Sequence, residues 1–200
     1  MNPVVVFDLG KVLVDFDYSI AARKVAARST KPLGDLIYLL STSSLIVQFE
    51  CGQVTRREFF EKVRDAVGFQ GTQDEFGGYF ADIFTEIPPM IAMQAELRRR
   101  GFLTYIFSNT NDLAIEHIDR NIRFFKNFDG YICSNEVGAM KPDPKIYIAM
   151  EQMCGRNGAD MVYLDDRVEN VAGGATRGWQ AILQETPEKS RAAIEKLGLL

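Results

Sequence analysis

The second half of the chain alternates short apolar runs with segments of helical spacing, and this alternation restricts the possible folds more than any other feature. The apolar runs are residues 103–107, 131–133, 161–164 and 180–183, with a helical pattern between each and the next. Strands that alternate with helices form a parallel sheet covered by helices on both faces. We therefore predict an α/β fold with a Rossmann-like, three-layer core built on a parallel sheet.

The first half of the chain holds one early strand and then a long helical region. Residues 4–7 are a short apolar run, and the next such run begins only at residue 103. Helical patterns lie between them, at residues 20–27, 33–49, 55–67 and 72–83. The last two open with the Thr-x-x-Glu spacing of a capping box.

This helical region is too long to be a simple connection between two parallel strands. A crossover needs little more than a dozen residues, whereas the mainly helical stretch of residues 16–86 is about 70 residues long. We predict that residues 1–15 and 87–200 form the core and that residues 16–86 form a small inserted helical cap.

Polar side chains follow three of the predicted strands at the point where each strand ends. Asp8 follows residues 4–7, Ser108 and Asn109 follow residues 103–107, and the pair Asp165 and Asp166 follows residues 161–164. Because open parallel sheets bind their ligands at the carboxyl ends of the strands, we expect these side chains to share one site. Lys141 is expected at the same site, because it lies in a rigid segment just before a helix. In this segment Asp143 is the expected helix N-cap and Pro144 the first helical residue.

These residue types together suit phosphoryl transfer. Asp8 can act as a nucleophile that forms an aspartyl-phosphate, and Ser108 with Asn109 at a helix N-terminus can bind a phosphate group. Lys141 would reduce the repulsion between the carboxylate and the phosphate dianion. Asp165 and Asp166 offer the oxygen ligands that Mg²⁺ prefers. Taken singly, each group also has an ordinary explanation as a helix cap, a turn residue or a surface charge.

In this order, the four segments resemble the motifs of the haloacid dehalogenase superfamily, whose hydrolases are mostly Mg²⁺-dependent phosphatases. The matching segments are residues 7–13, 108–109, 138–144 and 164–170. The resemblance implies that Asp8 and Lys141 are catalytic and that Ser108, Asn109 and Lys141 bind substrate. It also implies a Mg²⁺ ion held by Asp8, the backbone carbonyl of Gly10 and Asp166, with Asp165 in the outer shell; the last two can exchange roles.

Gly10 departs from the superfamily pattern. Phosphatases of this superfamily typically carry a second Asp at this position, which protonates the leaving group and then activates water. General acid–base catalysis typically contributes about 10²–10⁴-fold, so the loss of this carboxyl restricts the possible activities.

Three activities remain open because of this departure. The favoured one is a phosphatase of small phosphorylated metabolites with good leaving groups, such as hexose 1-phosphates, since superfamily members with an Asp-Leu-Gly first motif include a glucose-1-phosphate phosphatase. The second is a catalytically weak protein that binds phosphorylated ligands. The third is a 2-haloacid dehalogenase, in which Lys11 would contribute positive charge, but the acidic pair has no use in a metal-free halocarboxylate site.

Composition argues against some classes of binding partner and favours one cellular compartment. A net charge of −4 and a pI near 5.2 argue against nucleic acid as the main partner. No apolar run approaches the roughly 18 residues of a membrane span, and the start of the chain lacks the basic segment of a secretory signal. The three cysteines show no paired metal spacing. We expect a cytoplasmic protein whose partner is a small-molecule phosphate ester, with no nucleic acid and no membrane.

Overall fold

The main sheet is parallel, as the alternating pattern predicts. The computed structural model describes residues 2–200, apart from the side chains of residues 40–42. The strands are β1 (Val4–Phe7), β2 (Val14–Phe16), β3 (Phe84–Glu86), β4 (Thr104–Ser108), β5 (Gly130–Cys133), β6 (Met161–Asp165) and β7 (Gln180–Leu183). Five of them form one sheet in the order β5-β4-β1-β6-β7, and all neighbours in it are parallel.

Helices connect the strands of this sheet and fill the region between β2 and β3. They are α1 (Tyr18–Ala26), α2 (Leu33–Thr42), α3 (Leu45–Glu50), α4 (Arg56–Val67), α5 (Gln73–Ala81), α6 (Pro88–Arg99), α7 (Asp112–Asn121), α8 (Ser134–Val137), α9 (Pro144–Cys154), α10 (Val168–Thr176) and α11 (Pro187–Lys196). Short 3-10 helices lie at Arg123–Asn127 and Gly158–Asp160. Each helix within residues 2–200 is too short or too polar to cross a lipid bilayer.

Both predicted capping boxes are present, but one predicted helix is wrong. The boxes open α4 at Thr55 and α5 at Thr72. The single helix expected over residues 33–49 is instead two helices, because Ser43 leaves the helical region at ψ 155°. Its hydroxyl donates 2.6 Å to the carbonyl oxygen of Leu39, and such side-chain bonds compete with helix continuation.

Alternate residues of the central strand β1 pack into opposite layers. Val5 and Phe7 lie in an apolar cluster with side chains of α6, α7 and α11. Val4 and Val6 lie in another with Ile146 and other side chains of α9. Since successive side chains of a strand point to opposite faces, a strand buried on both faces must be apolar throughout. The expected Rossmann-like, three-layer arrangement is thereby confirmed.

The helices α1–α5, which we call the helical insertion, have an apolar cluster of their own. It includes Phe49, Phe59, Phe76 and Phe80, and the rings of Phe49 and Phe59 stack with centroids 4.4 Å apart. Burying each such ring contributes about 1.5–3 kcal/mol, which is enough for the insertion to pack on itself. Leu113 of α7 also belongs to this cluster and connects it to the core.

The insertion leaves and rejoins the core through the strands β2 and β3, which pair antiparallel. Their register places Val14 opposite Glu86 and Phe16 opposite Phe84. The sequence analysis does not predict this pair, because three residues a strand are too few to show a pattern. This two-stranded ribbon, β2 with β3, brings the two ends of the insertion together beside the carboxyl end of β1, which Asp8 follows.

Candidate active site

The predicted site residues meet at the carboxyl edge of the sheet, around a cavity of about 490 Å³. The predicted residues that line it are Asp8, Gly10, Ser108, Asn109, Lys141 and Asp166. Asp165 is fully buried and lies beneath them. Asp8 directly follows β1, and its backbone N–H donates 2.8 Å to the carbonyl oxygen of Leu164. This bond fixes Asp8 between the ends of β1 and β6.

A buried lysine links the two sides of the site. Lys141 Nζ donates to Asp8 Oδ1 at 2.8 Å, to Asp165 Oδ2 at 2.7 Å and to the carbonyl oxygen of Phe107 at 2.7 Å. An ammonium group has three N–H donors, so all of them have partners. Burial alone lowers the pKa of Lys141, but the charges of Asp8 and Asp165 raise it above its ordinary value. The site therefore holds a fixed cation between two carboxylates.

The backbone of Lys141 is held by Asn109. Asn109 Nδ2 donates 3.0 Å to the carbonyl oxygen of Lys141, and the backbone N–H of Lys141 donates 2.7 Å to Asn109 Oδ1. On the other side, Asp143 caps α9 and Pro144 is the first residue of that helix, as predicted. The sequence predicts a role for Asn109 at the phosphate, whereas in the structure its side chain holds the backbone of Lys141.

The two acidic residues after β6 have different surroundings. Asp165 accepts hydrogen bonds from Tyr163 OH at 2.5 Å, the Arg167 backbone N–H at 2.8 Å and Asn170 Nδ2 at 3.0 Å, besides the bond from Lys141. Asp166 is half-buried and lines the cavity. Because the oxygens of Asp165 already have these donors, Asp166 has the carboxylate better placed to bind a ligand from the cavity.

Burial and mutual repulsion shift the titration of these carboxylates. Burial raises the pKa of Asp8 from 3.8 to about 7; the charge of Lys141 works against this shift, and that of Asp165 adds to it. Burial, together with the charge of Asp165, also raises the pKa of Asp166 above its ordinary value. Burial therefore favours the protonated form of both carboxyl groups.

The geometry of the carboxylates suits a divalent cation. Asp8, Asp165 and Asp166 each offer one oxygen, and these oxygens lie within 4.8 Å of one another. Hard cations such as Mg²⁺ bind through one or two carboxylates together with other oxygen ligands, and the backbone carbonyl of Gly10 belongs to a residue that lines the same cavity. A bound cation would relieve the repulsion that raises the carboxyl pKa values.

The ring of Phe16 occupies the space beside Gly10. A Cβ atom on Gly10 would lie 2.8 Å from Cε1 of Phe16, closer than unbonded carbons approach. Edge contacts with Tyr18 and Phe84, at centroid distances of 5.4 and 6.3 Å, hold this ring in place. A carboxylate side chain at position 10 therefore fits only if Phe16 moves.

Lys11, the neighbour of Gly10, has its charge balanced locally. Its Nζ pairs with the carboxylate of Asp15 and donates 3.1 Å to the carbonyl oxygen of Phe16. The side chain is 44% exposed. The positive charge that a halocarboxylate site would draw from Lys11 is thus already paired.

The helical insertion supplies part of the cavity wall, which the sequence analysis did not identify. Tyr18 comes from α1, and Ile46 and Glu50 come from α3. Burial raises the pKa of Glu50 to about 7, against the opposing effect of the Arg167 charge. No local pattern in the sequence relates a six-residue helix to a strand end far from it along the chain. Asn170, by contrast, lies in the first turn of the helix after Asp165. This short spacing along the chain can indicate that its side chain donates a hydrogen bond to Asp165.

Comparison with known sequences identifies relatives over most of the chain. A family model described as haloacid dehalogenase-like hydrolase matches residues 3–178. The sesquiterpene phosphatase astK of Aspergillus oryzae is 24% identical over 169 residues, 83% of this chain and 81% of that protein. The D-ribitol-5-phosphate phosphatase of Bacteroides thetaiotaomicron is 21% identical over 187 residues, 90% of this chain and 91% of that protein. The chain also matches acyl-CoA dehydrogenase family member 10 of Mus musculus, at 25% identity, over only 19% of that protein's length.

Solved structures share the fold. A HAD-like family hydrolase from Porphyromonas gingivalis has a TM-score of 0.82 at 23% identity, with 98% of each chain covered. A HAD family enzyme from Bacteroides thetaiotaomicron, in complex with magnesium and inorganic phosphate, has a TM-score of 0.78 at 19% identity, with 92% of this chain and 94% of that chain covered. At these identities the likeness establishes the fold.

Proposed function

Because the chain belongs to the haloacid dehalogenase-like hydrolase family, we propose that it is a Mg²⁺-dependent phosphatase of small phosphorylated metabolites. The observation that carries this proposal is the buried Lys141 held between Asp8 and Asp165, beside a third carboxylate, in one open cavity. Two relatives of nearly matching length are phosphatases by name, and one structural neighbour holds magnesium and phosphate.

Asp8 is the nucleophile in the proposed reaction. Its carboxylate attacks the phosphorus atom, the bond from phosphorus to the ester oxygen breaks, and an aspartyl-phosphate forms. Water then attacks the phosphorus atom, releases inorganic phosphate and restores the carboxylate. Lys141 limits the repulsion between the carboxylate and the phosphate dianion. Ser108 and the backbone amides before α7 bind the phosphate oxygens.

The metal site in this proposal uses the residues that the geometry brings together. Asp8, the Gly10 carbonyl and Asp166 would hold Mg²⁺, with Asp165 in the outer shell, and the ion would supply the positive charge that allows an anionic phosphate to approach an anionic nucleophile. The oxygens of Asp8, Asp165 and Asp166, which lie within 4.8 Å of one another, support this assignment, because a divalent cation would offset their mutual repulsion.

The proposed substrates are small because the helical insertion covers the cavity. We assign residues 16–86 to a cap and residues 1–15 and 87–200 to the core, since the insertion has its own apolar cluster and contributes Tyr18, Ile46 and Glu50 to the cavity wall. Sugar phosphates, including hexose 1-phosphates, suit a cavity of this size with polar and aromatic walls.

One observation favours a second candidate function. Position 10 has no carboxyl, and Phe16 occupies the adjoining space, so a protein that binds phosphorylated ligands with little turnover is the alternative. A 2-haloacid dehalogenase is less favoured, because the carboxylate cluster suits a cation and the charge of Lys11 is paired with Asp15.

Phosphate release from a panel of phosphorylated metabolites tests the proposal. With Mg²⁺, we expect the protein to release phosphate from some members of a panel that includes glucose 1-phosphate and p-nitrophenyl phosphate. We expect EDTA or Asp8→Asn to reduce release to background, while Asp35→Asn, which changes an exposed carboxyl of α2, has no effect. Thermal stabilisation by the panel without turnover would support the alternative function, and halide release without metal would support the dehalogenase.

A further inference from the structure

The proposed phosphatase reaction needs a group that carries a proton. The leaving oxygen must gain a proton when its bond to phosphorus breaks, and the attacking water must lose one. Gly10 has no side chain to do this, and the ring of Phe16 fills the adjoining space. The carrier must therefore come from elsewhere on the cavity wall.

Most titratable groups on this wall already have other tasks or partners. Asp8 is the nucleophile, Asp166 faces the metal site, and Lys141 has partners for all three of its N–H donors. The charge of Lys11 is paired with Asp15, and that of Arg167 with Glu169. Burial, followed by the charge of Glu50, raises the pKa of Tyr18 far above neutrality. Among the described residues that line the cavity, Glu50 is the carboxyl group that remains.

The position of Glu50 is fixed against the core. Its carbonyl oxygen accepts a hydrogen bond of 2.6 Å from Ser134 Oγ, which itself accepts one of 2.9 Å from the backbone N–H of Thr110. Thr110 belongs to the loop that begins at Ser108, at the proposed phosphate site. Two residues after Glu50, the backbone at Gly52 packs closely against the backbone of α8. A Cβ atom on Gly52 would lie only 2.2 Å from a backbone oxygen of α8. The end of α3 is thus held beside the phosphate site.

We propose that Glu50 is the general acid and base that replaces the absent carboxyl at position 10; this inference rests on the proposed phosphatase activity. As Asp8 attacks and the bond from phosphorus to the ester oxygen breaks, the protonated Glu50 gives its proton to that oxygen and the alcohol leaves. In the second step the Glu50 carboxylate takes a proton from water as the water oxygen bonds to phosphorus. The bond between phosphorus and Asp8 then breaks, and phosphate leaves.

The titration of Glu50 suits both steps. Burial raises its pKa to about 7, although the charge of Arg167 opposes this shift, and a group that both donates and accepts a proton works best near the operating pH. The charged and titratable groups that interact with it are Arg167, Tyr18 and Cys51. The same cavity is also lined by Asp8, Lys11, Lys141 and Asp166.

The dependence of kcat/KM on the leaving group of the substrate tests the proposed role of Glu50. The probes are p-nitrophenyl phosphate, whose leaving group departs without help, and phenyl phosphate, whose leaving group gains from protonation. We expect Glu50→Gln to lower kcat/KM for phenyl phosphate about 10²-fold and for p-nitrophenyl phosphate less than tenfold. Glu50→Asp should restore part of the difference. Glu61→Gln, which removes a carboxyl from α4 outside the cavity, should leave both values unchanged.

The pH profile provides a second measurement that a purely structural role would not change. The change in kcat/KM with pH near pH 7 that reports the titration of Glu50 should disappear in Glu50→Gln and return in Glu50→Asp. Equal losses for both probes, an unchanged pH profile or full activity in Glu50→Gln would each overturn the role of Glu50 and leave the phosphatase proposal standing. A wild-type protein that releases no phosphate with Mg²⁺, either from these probes or from any member of the metabolite panel, would overturn both.

Discussion

One ammonium group balances three neighbouring carboxylates at the base of the cavity. Lys141 contacts Asp8 and Asp165, and Asp166 lies beside them. Removing Lys141 would leave buried carboxylates without their cation, a loss that typically costs about 3–5 kcal/mol. The cluster therefore combines a structural role with the ability to bind a cation.

The charge of Asp8 destabilises the metal-free protein at neutral pH, so Asp8→Asn should stabilise it. The pKa of Asp8 rises from 3.8 when unfolded to about 7 when folded, and stability is therefore lost as the pH rises between these values. We expect the stability advantage of Asp8→Asn over the wild type to be about 1–2 kcal/mol larger at pH 8 than near pH 5. Thermal unfolding at both pH values measures the difference.

Magnesium gives the matching control for this prediction. At pH 8, Mg²⁺ should raise the unfolding temperature of the wild type and should have a much smaller effect on Asp8→Asn, because one metal ligand is missing. A stability difference that stays constant between pH 5 and pH 8 would contradict the assigned cause.

The sequence predicts the residues of this cluster but not the groups around them. Asp8, Ser108 and Asp165 each come at the end of an apolar run, a local pattern that locates them on one edge of the sheet. Phe16 and Glu50 lie in segments whose positions depend on how the insertion packs, and no spacing along the chain expresses that packing. The role of Asn109 in holding Lys141 is likewise a contact between remote segments.

At the scale of elements, Ser134 connects the helical insertion to the core. It is fully buried in α8 and bridges Thr110 of the core to Glu50 of α3. Each buried polar group left without its partner costs about 1–3 kcal/mol. The bridge therefore ties the position of α3 to that of the loop at the phosphate site.

Ser134→Ala should weaken both stability and activity. The change leaves the Thr110 N–H and the Glu50 carbonyl without their bonds, so we expect a loss of about 1–3 kcal/mol in the free energy of unfolding and a lower kcat/KM for phenyl phosphate. Urea denaturation and steady-state kinetics measure these effects. Ser29→Ala, which removes a hydroxyl bonded within the insertion itself, should leave kcat/KM unchanged. Equal kinetic effects of the two changes would show that the bridge does not position the site.

The elements themselves were largely predictable where the local signal is strong. The parallel strands and the two capping boxes follow from apolar runs and from Thr-x-x-Glu spacing. The single helix predicted over residues 33–49 is wrong at the break between α2 and α3, where the four polar residues 41–44 interrupt the apolar spacing. The ribbon of β2 and β3 was missed because its strands are short and their pairing is remote.

At the scale of the whole molecule, charged contacts join the insertion to α7 of the core. Arg56 of α4 pairs with Asp112 at 3.1 Å and with Glu116 at 2.6 Å, both on α7. These groups are partly exposed, so the pairs contribute at most about 1 kcal/mol. These pairs therefore add little to the apolar contact that Leu113 of α7 makes with the insertion.

Arg56→Gln should loosen the insertion without unfolding it. We expect faster amide hydrogen exchange in α4 and α5 and unchanged exchange in the strands of the main sheet, with a larger effect at low salt because salt screens exposed charges. Arg57→Gln is the matched control, since Arg57 pairs with Glu61 on its own helix. Uniformly faster exchange across the sheet would mean that Arg56 supports the entire fold.

The paired strands β2 and β3 have a consequence for how such proteins diversify. Because Val14 lies opposite Glu86, the polypeptide departs from the sheet and comes back at neighbouring points. Whatever is spliced between those points leaves the order and spacing of the main strands untouched. Exchanging this segment as a cassette should therefore change the proposed cap, and Glu50 with it, while Asp8, Lys141 and Asp166 keep their places.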